Sequence, residues 1–148
     1  MEFEQIDTTG CRIVGALTRL GRLGPKHHGI VLGRSTADGQ TYVAESTREA
    51  GYRLTTYDRF VAAYSRYGAV TVQPNRGRFS DIAVAQRALD ELMVGGDGAY
   101  NLISNNCESF SNRAMNDHSI SSQVLHTTAG VVVFIGALLV RRYTRRTW

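Results

Sequence analysis

Short apolar runs come first along this chain, and helical spacing takes over later. Residues 11–17 (CRIVGAL) form an uninterrupted apolar run and predict a buried strand. Residues 18–26 follow as a loop, with Gly21, Gly24 and Pro25 set among basic residues. Residues 27–33 (HHGIVLG) predict a second strand. Alternation places His27, Gly29 and Val31 on one face and His28, Ile30 and Leu32 on the other. Asp38-Gly39 within 34–40 is a hairpin signal, 41–45 (TYVAE) the returning strand, and 52–54 a further short strand. Thr55 or Thr56 then caps a short helix whose apolar stripe is Phe60, Val61 and Tyr64. Residues 69–72 suggest another strand, and 74–78 a polar, basic loop. Ser80 caps the strongest helical pattern, with Ile82, Ala85, Leu89, Leu92 and Met93 at a 3.6-residue period and Gly95-Gly96 as its stop. A last helix spans residues 107–115, carrying Phe110 and Ala114 at i, i+4, and the preceding helix is expected to buttress it. The fold class is α+β, a small antiparallel sheet packed against helices.

A chain of 148 residues with 43% hydrophobic and 20% charged positions suits one compact domain with a real core. The boundaries expected are 8–118 for the domain and 124–148 for a distinct C-terminal segment. The net charge of +4 is carried almost wholly by arginine, Lys26 being the only lysine. Its distribution, scattered and then bunched at Arg141, Arg142, Arg145 and Arg146, suits an anionic membrane surface at least as well as nucleic acid. No nucleic-acid module is present among the motifs, so a nucleic-acid partner is not expected. The acidic start MEFEQID lacks the pattern of a signal peptide. Two cysteines, Cys11 and Cys107, make no disulfide framework, so the thiols are read as free and the compartment as cytoplasmic. Residues 129–140 form an apolar stretch of 12 residues, roughly 18 Å of helix against a hydrocarbon core of about 30 Å. With four arginines and Trp148 after it, this C-terminal hydrophobic helix is expected to associate with a membrane, a full span being marginal and an interfacial or re-entrant segment fitting the charge, with a buried helix of the domain as the alternative.

The chemistry concentrates at YNLISNNCESFSNRAM, residues 100–115. Ser104, Asn105 and Asn106 favour turns and helix N-caps, which puts Cys107 in the first turn of a helix. Unpaired N–H groups and the macrodipole there favour a thiolate, which is a nucleophile, and the same groups can receive an oxyanion. A lone cysteine is more often a small buried hydrophobe. His27 and His28 tip the balance, because an imidazole can serve as its base. Only one of the two can face Cys107, since they alternate across the strand. A zinc site of His27, His28, Cys107 and His118 lacks any recognised ligand spacing.

HHGIVLG followed far downstream by NCESF resembles the lecithin:retinol acyltransferase-like family, including the H-Ras-like suppressor phospholipases and acyltransferases. Tyr100, Leu102, Asn106, Cys107, Glu108, Phe110 and Asn112 fit the cysteine box. The resemblance spans roughly residues 27–140. It implies a circularly permuted papain-like (NlpC-type) fold, with Cys107 as nucleophile and His27, two residues before Gly29, as general base. The family's third polar residue, usually a histidine that orients the base, falls on Glu45, with Gln40 as a weaker alternative. Ser109 stands where the box has a histidine. His28 takes the aromatic position after the base and joins Asn106 and Tyr100 as a candidate binding residue. The implied activity is thiol-dependent acyl transfer or phospholipase A chemistry on a phospholipid through a cysteine thioester, with no metal or organic cofactor. The rivals are a permuted papain-like cysteine peptidase, acting on isopeptides or cell-wall amides, and a catalytically idle membrane-bound scaffold.

Overall fold

The computed structural model describes residues 2–95 and 106–117. Tyr100, His118 and the C-terminal segment expected at 124–148 lie outside them. Within them the chain runs β1 (Phe3–Glu4), β2 (Arg12–Ala16), β3 (Lys26–Ser35), β4 (Thr41–Thr47), β5 (Gly51–Thr56), α1 (Tyr57–Tyr64), β6 (Thr71–Gln73), α2 (Asp81–Val94) and α3 (Cys107–Asn116). Single-turn 3-10 helices occupy Gly21–Leu23 and Ser65–Tyr67.

The strands make one antiparallel sheet in the order β5-β4-β3-β2-β6, with β1 paired to the far end of β3. The expected fold class holds: α+β, with three α-helices among the described residues. Strand β3 is central and buried over most of its length, so its two faces define two cores. Ile13, Val31 and Val43 pack with Phe60 of α1 on one face. Ile30, Leu32 and Ala44 pack with Val84, Ala85 and Ala88 of α2 and with Phe110, Ala114 and Met115 of α3 on the other. The alternation read from HHGIVLG is therefore the partition observed. A register shift between Val31 and Gly33 interrupts it only beyond the histidines.

Several expectations shift by a few residues. Strand β4 runs on to Thr47, β5 widens to Gly51–Thr56, and β6 is Thr71–Gln73. Thr56, not Thr55, caps α1, its side chain accepting from the Arg59 N–H. The stripe expected for α2 holds at Ala85, Leu89 and Leu92 and takes in Val84 and Ala88 as well, while its ends fail: Ile82 is 58% and Met93 75% exposed. Ala88, fully buried, gives α2 a small-residue face that approaches the sheet closely, and this outweighs the larger apolar side chains beside it. The buttress between the last two helices is polar as well as apolar. Arg87 donates to the Ala114 and Arg113 carbonyls and to Asp117, and Arg113 pairs with Glu91.

Candidate active site

Cys107 is the first residue of α3, and the cap ahead of it is Asn106, whose Oδ1 accepts the Ser109 N–H at 2.9 Å. The Phe110 N–H is taken by the Asn106 carbonyl. The first turn is thereby fixed, and the buried thiol is aimed at the start of β3, with Sγ 3.7 Å from the Lys26 carbonyl oxygen. That contact sets the thiol close to the next residue, His27, whose pKa it raises.

His27 is held on three sides. Its Nε2 lies 2.6 Å from Glu45 Oε2, so the nitrogen left for the thiol is Nδ1. Tyr64 of α1 stacks on the ring with centroids 4.3 Å apart, and Phe60 stands at 5.6 Å. Gly15 is the cross-strand partner of His27, and a Cβ there would meet Tyr64 Cβ at 2.4 Å. The absence of a side chain on β2 is what admits the Tyr64 ring to the imidazole.

Glu45 reaches His27 for a comparable reason. It pairs across the ladder with Gly29, which shares a face with His27 two residues earlier, so no side chain stands opposite the carboxylate. A Cβ at Gly29 would lie 2.7 Å from Val43 Cγ1. The His-x-Gly spacing is thus explained by a row across three strands, Gly29, Glu45 and Arg53, with His27 one step along. Arg53 is a residue that sequence reasoning missed. Its Nε donates to Glu45 Oε1 at 2.7 Å, so each oxygen of a fully buried carboxylate has a partner. Its only signal is its register opposite Glu45, which the sequence does not display. Gln40, the alternative orienting residue, sits in the exposed β3–β4 turn, its N–H on Asp38.

Charge follows from these contacts. Burial pushes the His27 pKa down, but the hydrogen bonds and negative charge of Cys107 and Glu45 outweigh it and hold it at about 9. Burial opposes ionisation of Glu45, yet His27 and Arg53 hold its pKa below the ordinary carboxylate value. Burial and then the Glu45 charge push the Tyr64 hydroxyl up. His28 is buried on the opposite face, where burial, with the Arg12 guanidinium next, lowers its pKa to about 3. It is thus neutral at pH 7 and belongs to the α3 side of the sheet, near Arg12 and Glu108, rather than to the His27 face. Arg12 also donates to Asn112 Oδ1 at 2.6 Å, tying β2 to α3. Among the described residues, no group of three or more His, Cys, Asp or Glu is placed to hold a metal ion, and both cysteines are free.

A buried thiol at a helix N-terminus, facing an imidazole whose far nitrogen is held by a carboxylate, has the arrangement of a thiol–imidazole hydrolase or transferase centre. Residues 12–120 match the family described as lecithin retinol acyltransferase, and the chain belongs to it. That family comprises acyltransferases, which places the protein among acyl-transferring, lipid-related enzymes. No curated protein and no solved structure matches the chain.

Proposed function

We propose that this protein is a thiol-dependent acyltransferase and phospholipase A that works through an acyl thioester on Cys107. The observation that carries this reading is the alignment of Cys107, His27 and Glu45, with the imidazole Nε2 committed to Glu45 and Nδ1 left for sulfur. A pKa of about 9 keeps His27 protonated at neutral pH, which favours an imidazolium beside a thiolate. The thiolate attacks the ester carbonyl of a phospholipid acyl chain, and the Cys107 backbone N–H at the start of α3 receives the oxyanion. His27 gives its Nδ1 proton to the departing lysolipid oxygen as the thioester forms. It then takes a proton from water, or from an amine or alcohol acceptor, whose oxygen or nitrogen displaces the thiolate.

In this reading the histidine strand preceding the cysteine helix makes the domain a permuted papain-like one. The arginine-flanked apolar tail brings the enzyme to the cytoplasmic side of a membrane. Among the described residues no helix is long and apolar enough to cross one, and the tail lies outside them.

The test is intact-mass spectrometry after incubation with phosphatidylcholine vesicles, alongside Cys107→Ala. A gain of one fatty acyl mass, absent in the variant, is the expected result. Labelling of Cys107 by a thiol probe with neither adduct nor released fatty acid would overturn the lipid assignment and direct the search to peptide substrates. A Cys107 that resists the probe as well would favour the idle scaffold.

A further inference from the structure

Six large apolar side chains are exposed among the described residues, and three of them, Leu17, Leu20 and Leu23, lie in the β2–β3 connection. They recur every third residue. Residues 21–23 form a 3-10 turn with three residues per turn, so Leu20 and Leu23 project to one side. Leu20 is 67% and Leu23 93% exposed. The loop is built rather than slack. Leu17 N–H donates to the Pro25 carbonyl across its neck, and Gly21 and Leu23 N–H donate to the Thr18 and Leu20 carbonyls. A Cβ on Gly24 would lie 2.4 Å from Thr18 Oγ1, so the turn is closely folded on itself.

The charge around it has one sign. No acidic residue occurs between Asp7 and Asp38, while Arg19 is exposed within the loop and Lys26 closes it. The neighbouring 3-10 turn, whose Tyr67 carbonyl lies beside Gly21, adds exposed Arg66 over the Tyr67 ring. Its position links it to the site: Lys26, at the neck, supplies the carbonyl that faces Cys107 Sγ.

We infer that the Leu17–Leu23 turn is an interfacial docking loop that inserts its leucines into an anionic lipid surface, with Arg19, Lys26 and Arg66 facing the headgroups, and so sets the mouth of the Cys107 site against the bilayer. The inference deepens the lipid-acting reading above and adds a membrane contact within the catalytic domain itself, separate from the C-terminal segment. Apolar side chains ringed by basic ones match the chemistry of such a surface.

The test is a position-resolved reporter in the full-length chain. Leu23→Trp is placed in a Trp148→Phe background, with Val94→Trp, exposed at the end of α2, as the comparison site. Each protein is mixed with vesicles of phosphatidylcholine and phosphatidylglycerol, with and without lipids brominated along the acyl chain. The tryptophan at 23 should shift to the blue and be quenched, the one at 94 should do neither, and Arg19→Glu should weaken the response. Replacing Leu20 by Ser beside the reporter should weaken vesicle affinity by about tenfold or more. An unchanged emission at 23 on sedimented vesicles, a response at 94 instead, or a shift that follows protein concentration without lipid would overturn the inference. The same measurement in Cys107→Ala needs no acyl transfer, so failure of docking and failure of the thioester chemistry are read separately.

Discussion

Replacing Glu45 by Gln isolates what a carboxylate does at this site. Its two oxygens each receive a donor, Oε2 from His27 and Oε1 from Arg53. A carboxamide of the same shape has one accepting oxygen and one donating NH2. With its oxygen turned to Arg53, the NH2 faces His27 Nε2, and the imidazole proton must move to Nδ1 as a neutral tautomer facing the thiol. With its oxygen turned to His27, the NH2 opposes the Arg53 guanidinium. His27 stands at about 9 against an ordinary value of 6.5, which corresponds to about 3 kcal/mol favouring the imidazolium. Cys107 precedes Glu45 among the influences that raise it, so the carboxylate is the smaller of the two; a share of about one pH unit, about 1.4 kcal/mol, is roughly tenfold in imidazolium population. Leaving one buried group without its partner costs the fold a further 1–3 kcal/mol or so.

The assay compares alkylation of Cys107 by anionic iodoacetate and neutral iodoacetamide across pH, with adducts located by mass to exclude Cys11. An adjacent imidazolium favours the anion. In the natural protein that preference should persist until His27 titrates near 9. In Glu45→Gln it should fade about one pH unit earlier, while circular dichroism still shows a folded chain. An identical pH dependence of the preference in a folded variant would refute the reasoning, because the positive charge beside the thiol would then owe nothing to Glu45.

Other substitutions probe the supports. Arg53→Met should lower the melting temperature by the equivalent of about 1–2 kcal/mol, an amount reduced by the partial exposure of this side chain, and Arg53→Lys should restore part of it; equal loss in both variants would remove the ion pair as the cause. Gly29→Ala should cost about 1–3 kcal/mol in a denaturant titration, because its new methyl meets Val43 in a closed core. Asn106→Ala removes the cap of α3 and should cost about 1 kcal/mol, with slower thiol labelling as the accompanying sign that Cys107 has lost its aim. His28→Phe should flatten the acid limb of the stability curve: His28 has a folded pKa of about 3, so it draws stability down as pH falls below 6.5. Its removal should be worth up to about 3 kcal/mol near pH 4, read from urea midpoints at several pH values.

What the sequence displayed was whatever depends on neighbours along the chain. The face partition of β3 followed from alternation, and the cap of α3 from Asn106 three residues ahead of the Ser109 N–H it satisfies. Glu45 was named by resemblance, and its carboxylate stands against His27. Residues whose role depends on register across strands were invisible. Arg53 looks like any exposed basic residue until β4 and β5 are paired, and Gly15 looks like a weak spot in a strand until Tyr64 is seen above it. In α2 the apolar count misled, because Ile82 and Met93 are larger than Ala88 yet stand on the wrong arc for the close approach that Ala88 permits. The strand Phe3–Glu4 was missed because two residues carry no periodicity at all.

The two adjacent histidines show how far a strand's alternation can separate chemistry. His27 and His28 differ by one residue, and at pH 7 one is charged and the other neutral. The first faces the Cys107 thiol and the Glu45 carboxylate, and the second faces the Arg12 guanidinium in a packed interior. Their linkage to stability has opposite sign. His27, raised to about 9, contributes fully below 6.5 and loses its contribution as pH rises towards 9. His28, lowered to about 3, contributes fully above 6.5 and loses its contribution as pH falls towards 3. The fold is therefore most favoured by this pair near neutral pH, the same range in which a protonated His27 is available beside the thiol. A one-residue slip of β3 would exchange its two faces and set either Gly29 in the place of His28 or Lys26 in the place of His27. The ladder to β4, in which Gly29 must stand opposite Glu45, sets the register against that exchange.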